Sequence, residues 1–251
     1  MIVHLKRILG LVFLLFLLGS KPAIGDSTII NEDFSFDNPN FTLNGLAHRD
    51  PLNEELVLTD TCCGYAGSMF YNTPINTSHL NAEFDFRIDR IDPGGADGFT
   101  FTIIDSDSPT FLGTGGGGLG YSHDASMRSL AVEFDVHKNP GVDFDWTHIG
   151  VDLNGNLESV NIAQNVPEGE EFLEDQGTFH TEILLREGGK RIIVYLGNES
   201  INYPRTKIID YVMEDVKPFR GLVGFTAGIG AFRDYFFIDN FTLQHNPLAS
   251  P

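Results

Sequence analysis

The chain has 251 residues, and its 35 acidic against 16 basic residues give a formal net charge of −19. An acidic surface of this kind repels phosphate backbones and anionic lipid, which argues against nucleic-acid and membrane partners. Neutral ligands and cations remain open. No Ser/Pro-rich linker or charge run divides the chain, so we expect one large domain.

The N-terminus has the pattern of a secretory signal. Two basic residues and an apolar run ending at Leu18 precede a small-residue exit at Ala23-Ile24-Gly25. The apolar run is shorter than the roughly 20 residues that span a bilayer. We therefore expect residues 1–25 to be removed, which deletes three basic residues and no acid and gives a net charge of −22. The expected product is a soluble domain over 26–246 with a tail at 247–251, secreted outside the cell or into a periplasmic or secretory lumen.

Two covalent modifications are left open by the sequence. Cys62 and Cys63 are adjacent, so a disulfide framework is excluded, and a bridge between them would be strained because neighbouring Cα atoms lie only ~3.8 Å apart. That strained bridge and free or intermolecular thiols both remain alternatives. Four N-x-S/T sequons would carry glycan in a eukaryotic secretory pathway. They begin at Asn40, Asn76, Asn198 and Asn240.

Short alternating segments follow one another along the chain, with turn clusters between them. Each places apolar residues on one face and, in the first two especially, polar residues on the other, as sandwich strands do. No long segment has helical periodicity, so the sequence predicts an all-β, antiparallel β-sandwich of the jelly-roll kind. The predicted strands are 82–88, 98–103, 130–136, 179–186, 190–196, 221–226 and 234–243.

A glycine run, Gly115–Gly118, lies between the second and third of these strands. It lacks the Lys-Ser/Thr ending of a phosphate loop, so that function is disfavoured. A flexible loop with positive φ is one interpretation, and a close approach of the backbone to a ligand is the other.

The stretch from Leu130 to Asp152 concentrates metal-binding chemistry. Glu133 and Asp135 share one face of the predicted strand, and a Pro-Gly loop with further acids and an Asn follows before His148. Carboxylate and carbonyl oxygens suit Ca²⁺, while an imidazole favours a transition metal beside it. The stretch predicts a loop ordered by metal ions.

Several motifs, in one order over nearly the whole mature chain, resemble those of the legume-type (L-type) lectins, whose fold is the concanavalin A-like sandwich. A shared order of several motifs is more specific than any one of them. The motifs are Phe41–Gly45, Ala96-Asp97-Gly98, Gly116–Gly120, Val132–Asp135 and His148–Asp152.

The resemblance implies a paired metal site, with Ca²⁺ next to Mn²⁺ or another transition metal. The implied Mn²⁺ ligands are Glu133, Asp135, Asp143 and His148. The implied Ca²⁺ ligands are Asp135, the main-chain carbonyl of His137, Asn139 and Asp143. Asn139 and Asp143 are four residues apart, where five is usual in the family, so Asp145 is the alternative bridging ligand.

The resemblance also implies a sugar site beside the Ca²⁺, formed by Asp97, Gly117 and Asn139. A carboxylate accepts from sugar hydroxyls while an amide and a backbone N–H donate. In the family the peptide bond that corresponds to Ala96-Asp97 is cis. His137 stands where many members have an aromatic residue that stacks on the sugar, and we expect His137 and Trp146 to contact it. Tyr121 and Phe232 are the other stacking candidates, and sugar specificity is expected to depend on loops such as 228–234.

The resemblance implies a non-catalytic lectin that binds glycans, and a homodimer is one expected state of it. Two other functions compete with this expectation. Glycoside hydrolases of the same architecture carry Glu-x-Asp-x-x-Glu, but here Lys138 stands at the second Glu position and cannot act as the acid. A structural or adhesive module would have lost Asp97 or Asn139, and both are present. The sequence therefore favours binding of carbohydrate without cleavage.

Overall fold

The computed structural model describes residues 27–59, 65–143, 145–169 and 171–246. The expected signal segment, Cys62 and Cys63, and the tail at 247–251 lie outside these residues. Within the described part, no helix is both long and apolar enough to cross a bilayer.

The described chain folds into sixteen strands and two short 3-10 turns, Gly116–Gly118 and Glu199–Ile201. The strands are β1 (Thr28–Glu32), β2 (Phe41–Gly45), β3 (His48–Asp50), β4 (Glu55–Val57), β5 (Ala66–Tyr71), β6 (Ile75–Asn76), β7 (Leu80–Arg90), β8 (Gly98–Ile104), β9 (Ser129–Asp135), β10 (His148–Leu153), β11 (Asn156–Ile162), β12 (Phe179–Arg186), β13 (Arg191–Asn198), β14 (Tyr203–Val212), β15 (Arg220–Gly228) and β16 (Asp234–His245).

These strands form two antiparallel sheets. The first sheet has the order β14-β13-β12-β7-β16-β4-β3, with β1 also paired to β16. The second has the order β11-β10-β9-β8-β15-β5-β2, with β6 also paired to β15. The predicted antiparallel β-sandwich is therefore confirmed, and each of the seven predicted strands corresponds to an observed one.

A phenylalanine-rich core lies between the sheets. Phe84 on β7 contacts Phe225 on β15 of the opposite sheet at 4.9 Å between ring centroids. Phe99 and Phe134, neighbours in the second sheet, stack at 4.6 Å. All four side chains are almost fully buried, and each such burial stabilises the fold by about 2 kcal/mol. The alternation along β7, buried at every second residue, is what places its phenylalanines in this layer.

Three loops gather at one end of the sandwich, and the strand register shows why. Gly98 at the start of β8 pairs with Gly228 at the end of β15 and with Asp135 at the end of β9. The loops 91–97, 229–233 and 136–147 leave these strand ends. Loops 91–97 and 229–233 also join one sheet to the other, so residues distant in sequence meet at this end.

The predicted solvent exposure of the polar face of β8 is wrong. Every residue of β8 is buried, and so is every residue of the neighbouring β9. The glycine-rich segment after β8 folds back over the second sheet, where Thr226 Oγ1 donates to the Leu119 carbonyl at 2.8 Å and bonds Thr100 Oγ1 at 2.8 Å. The sheet is therefore covered on both faces at this end.

Candidate functional site

The centre of the candidate site is a buried group formed by two neighbouring strands. Alternation on β9 points Glu133 and Asp135 to one side, and the antiparallel register sets His148 of β10 opposite Asp135. His148 Nε2 lies 3.1 Å from Glu133 Oε1. One ligand atom from each of the three residues falls within 4.8 Å of the others, and all three side chains are buried.

The loop 136–147 brings a third acid towards this group. The backbone N–H groups of Val142 and Asp143 both donate to the Asn139 carbonyl at 3.1 Å, and the Asn139 N–H donates back to the Asp143 carboxylate. Asp143 is half-buried, and burial raises the pKa of its carboxyl group. Asp145 is exposed and accepts from the Trp146 N–H. The loop thus turns Asp143 inward, and Phe144 between the two acids lies outside the described residues.

A further buried acid, Asp152, was missed by the sequence reasoning. It occupies the same face of β10 as His148, and Ser159 on β11 donates to both Asp152 Oδ1 (2.9 Å) and Glu133 Oε1 (2.5 Å). Burial, followed by the charge of Glu133, raises the pKa of both Asp135 and Asp152 well above the usual range. His148 and Asp152 are four residues apart, an even spacing that places both on one face of a strand. This spacing could have identified Asp152 from the sequence.

The donor set fits a divalent cation. Glu133 Oε2, Asp152 Oδ2 and His148 Nδ1 are buried without a hydrogen-bond partner among the described residues. Buried carboxylates at such close quarters are costly unless a cation neutralises them. The carboxylates of this group and the imidazole of His148 are ligands of the kinds that Ca²⁺ and transition metals accept.

This crowding predicts an unusual pH dependence for the chelated protein. A carboxyl group whose pKa is raised by folding retains its proton longer in the folded state, so stability falls as pH rises above the usual carboxyl range. We expect the chelated protein to melt at a higher temperature near pH 5 than near pH 8, and Asp135→Asn to flatten the difference. The exposed-acid control Asp107→Asn should retain it. Equal melting temperatures at both pH values in the chelated protein would contradict this prediction.

Asp97 adjoins the buried group at the start of β8. Its backbone N–H donates to the Gly228 carbonyl at 3.2 Å, and its carbonyl accepts from the Val136 N–H at 2.9 Å. The Ala96-Asp97 peptide bond is cis, as the resemblance implied. Burial raises the pKa of the Asp97 carboxyl to about 6, against the opposing effects of His137 and Asn139. Its Oδ2 atom is buried and unpartnered among the described residues.

Gly117 and Asn139 lie against each other beside Asp97. The Asn139 side chain lies close enough to the Asp97 carboxyl to lower its pKa. A Cβ on Gly117 would lie 2.3 Å from Asn139 Oδ1, so any side chain there would displace the amide. A Cβ on Gly230 would likewise lie 2.9 Å from Asp97 Oδ2. Gly116 has a φ of +62°, as the positive-φ interpretation of the glycine run expected, and the backbone at Gly117 packs closely against the Asn139 side chain.

Three aromatic rings border this polar group. His137 Nδ1 lies 3.1 Å from the Gly95 carbonyl, and its ring stands 6.1 Å from Trp146 and 5.8 Å from Phe232. Trp146 and Phe232 are 45% and 44% exposed. The expectation for Tyr121 is wrong, because its ring is fully buried. Its hydroxyl is hydrogen-bonded to Ser129 Oγ at 2.7 Å and accepts from the Gly155 N–H at 3.2 Å, so it is a core residue.

Comparisons with known proteins agree with this geometry. The family model of the legume lectin domain matches residues 29–249. Favin from Vicia faba is 30% identical over 222 residues, covering 79% of this chain and 86% of favin. A basic winged bean lectin crystallised with Tn-antigen has a TM-score of 0.74 at 24% identity, covering 87% of this chain and 98% of that one. A Bauhinia forficata lectin in complex with GalNAc has a TM-score of 0.71 at 20% identity, covering 87% and 98%. At these identities the two structures show a shared fold.

Proposed function

The chain belongs to the legume lectin domain family, whose members bind carbohydrate, and from that premise we propose a secreted, non-catalytic lectin with a metal-ordered sugar site. The observation that carries the proposal is the convergence of Asp97, Gly117 and Asn139 on one side of the buried acid and histidine group. Loops from three separate strand ends contribute to this convergence.

The residues proposed to hold the ions follow the resemblance. Glu133, Asp135, Asp143 and His148 would bind Mn²⁺ or another transition metal. Asp135, the His137 carbonyl, Asn139 and Asp143 would bind Ca²⁺. We favour Asp143 over Asp145 because Asp143 is half-buried and held by the Asn139 N–H, whereas Asp145 is exposed. Bound cations would neutralise the buried acids and stiffen the loop that carries Asn139.

Sugar recognition is proposed to divide between acceptors and donors. The Asp97 carboxylate would accept from sugar hydroxyls, and the Asn139 amide and the Gly117 N–H would donate to sugar oxygens. The exposed Trp146 ring next to His137 offers an apolar face for the C–H side of a sugar ring. Phe232 borders the same space from the loop 229–233.

The geometry also supports binding without hydrolysis. Glu133, the first acid of the hydrolase-like pattern, is fully buried and engaged by His148 and Ser159. A nucleophile must reach the anomeric carbon, and a second carboxyl must stand about 5 Å away for retaining hydrolysis. Lys138 occupies the sequence position of that second acid.

A glycan array tests the proposal directly. Purified protein with Ca²⁺ and Mn²⁺ should bind a defined set of glycans, and GalNAc and methyl α-galactoside, present in two structural relatives, are suitable first probes. The same array after chelation should be blank. Failure to bind any glycan in the presence of both metals would contradict the proposed function. Release of free sugar from a bound glycan would instead favour a hydrolase.

The proposed secretory route leads to a prediction about the sequons. Asn40 is exposed, and its side-chain amide makes no hydrogen bond to another described residue. The Asn198 amide is 3% exposed, accepts from the Ser200 N–H and donates to the Gln176 carbonyl. We expect protein secreted from eukaryotic cells to carry a glycan on Asn40 and none on Asn198, because a glycan cannot occupy a buried amide.

Peptide mass spectrometry before and after glycosidase treatment measures this. Asn40→Gln should lower the mass of the secreted chain by one glycan, while Asn198→Gln should leave it unchanged apart from the substitution. Occupancy of Asn198 in folded protein would contradict the prediction. Absence of all glycan when the natural signal directs export would contradict the secretory route.

A further inference from the structure

The loop 91–97, which carries Asp97, rests on two buried acids that the proposed metal and sugar sites do not use. Asp234 begins β16 and is fully buried, and Glu174 is 3% exposed. Glu174 reaches this position because its segment forms an isolated bridge to Ile88 on β7. Two distant parts of the chain thus place carboxyl groups beneath one loop.

One of the two acids is fully paired. Arg90 Nε and Nη2 donate to the two oxygens of Glu174, each at 3.0 Å. A third donor of the same guanidinium, Nη1, bonds Glu171 at 2.9 Å. Glu174 therefore has the environment of a carboxylate anion. The single positive charge of Arg90 is already shared by Glu174 and Glu171, so Arg90 does not also neutralise Asp234.

The other acid has a buried oxygen without a donor. Asp234 Oδ1 accepts from the Ile91 N–H at 3.3 Å. Asp234 Oδ2 is buried, has no hydrogen-bond partner among the described residues and lies next to Gly95, as Glu174 Oε1 does. Two buried carboxyl groups this close cannot both be ionised when only one of them is paired with a cation. Burial and the adjacent Glu174 raise the pKa of Asp234 to about 8, so Asp234 carries a proton at neutral pH.

The acid pair contacts the loop 91–97 at Gly95. A Cβ on Gly95 would lie 2.1 Å from Glu174 Oε1 and 3.1 Å from Asp234 Oδ2. The Gly95 carbonyl is the group that His137 Nδ1 approaches at 3.1 Å. Asp97 follows two residues later. A shift of Gly95 would therefore move both His137 and Asp97.

We propose that the Glu174–Asp234 pair, sharing one proton, positions the loop 91–97 so that Asp97 and His137 hold their sugar-binding geometry. This inference rests on the proposed carbohydrate function. Loss of the shared proton would set two anions against each other beneath Gly95 and displace the loop. Both acids are positioning residues, because neither reaches the sugar site itself.

The charges around the Glu174–Asp234 pair favour displacement of the loop when the pair loses its proton. Arg90 is shared between Glu174 and Glu171, and its backbone N–H donates to Asp175. The other flanking ion pair, Arg233 with Asp92 at 2.9 Å, adds no net charge. His137 faces the loop through Gly95. The surroundings are acidic overall, so a second anion in the pair would be poorly compensated.

An isosteric substitution tests the inference. In Asp234→Asn the side chain is neutral at every pH and its amide can donate to Glu174, while its oxygen still accepts from the Ile91 N–H. We expect the sugar affinity of the wild type to fall on the order of tenfold between about pH 7 and about pH 9, and that of Asp234→Asn to stay constant. Asp234→Ala should be on the order of tenfold weaker at both pH values. Asp239→Asn, on the same strand but with its carboxylate on Asn240, should follow the wild type.

Metal content is measured at each pH, so that loss of ions is not mistaken for movement of the loop. A wild-type affinity independent of pH, or an Asp234→Asn profile identical to a falling wild-type profile, would overturn the inference and leave the proposed function intact. The comparison of wild type with Asp234→Asn decides this even if Asp234→Ala does not fold. A wild type that binds no glycan at any pH would overturn the proposed function and this inference with it.

Discussion

Replacing Asp97 by alanine is expected to weaken sugar binding by at least about 100-fold. Asp97 is 4% exposed, lies beside the Asn139 side chain and retains an unpartnered Oδ2 atom. Two hydrogen bonds from sugar hydroxyls to a charged acceptor contribute about 1.5–3 kcal/mol each, and alanine removes both. Isothermal titration with a glycan identified on the array measures the loss.

The metal content of the variant separates recognition from folding of the site. Asp97 is not among the proposed ligands, so Asp97→Ala should retain both ions while losing the sugar. Asp107→Ala, an exposed acid just beyond the end of β8, is the matched control and should bind as the wild type does. If Asp97→Ala kept full affinity, the assignment of the sugar site would be wrong.

Removal of the divalent ions is expected to abolish sugar binding while the β-sheet circular dichroism persists. Ligand atoms of Glu133, Asp135 and His148 lie within 4.8 Å of one another, and all three side chains are buried. Without cations, the two carboxylates must either repel each other or take up protons. The loop carrying Asn139 then loses its anchor, whereas the phenylalanine core does not depend on the ions. Each bound ion stabilises the fold by about 3 kcal/mol when its concentration is 100 times its Kd, so the melting temperature should fall as well.

The single tryptophan of the chain offers a direct signal from this loop. Trp146 is 45% exposed and stands against His137, so loosening of the loop should shift its emission towards that of a solvated indole. Adding Ca²⁺ and Mn²⁺ back should restore both the emission and the affinity in the wild type. His148→Ala should not recover at the same metal concentrations. Unchanged sugar affinity in excess chelator would contradict the role of the metals.

Much of the fold could be predicted from local pattern. The alternation in 82–88 and 179–186 identified β7 and β12, because every second residue of a half-buried strand must be apolar. Strands β11 and β14 are among those that the sequence did not predict. Each lies at the edge of its sheet with many exposed residues, so its sequence carries a weak pattern and its pairing partner defines it.

The sequence by itself determined the strand periodicity, the acidic charge and, through the motifs shared with lectins, the residues that now stand together at one end of the sandwich. The tertiary structure alone decided which faces are covered. Tyr121 is buried, the polar face of β9 is sealed, and the pair Glu174–Asp234 contributes carboxyl groups that no local pattern revealed. The physical reason is that burial depends on loops from distant parts of the chain, and the pKa of an acid follows from that burial and not from its neighbours in sequence.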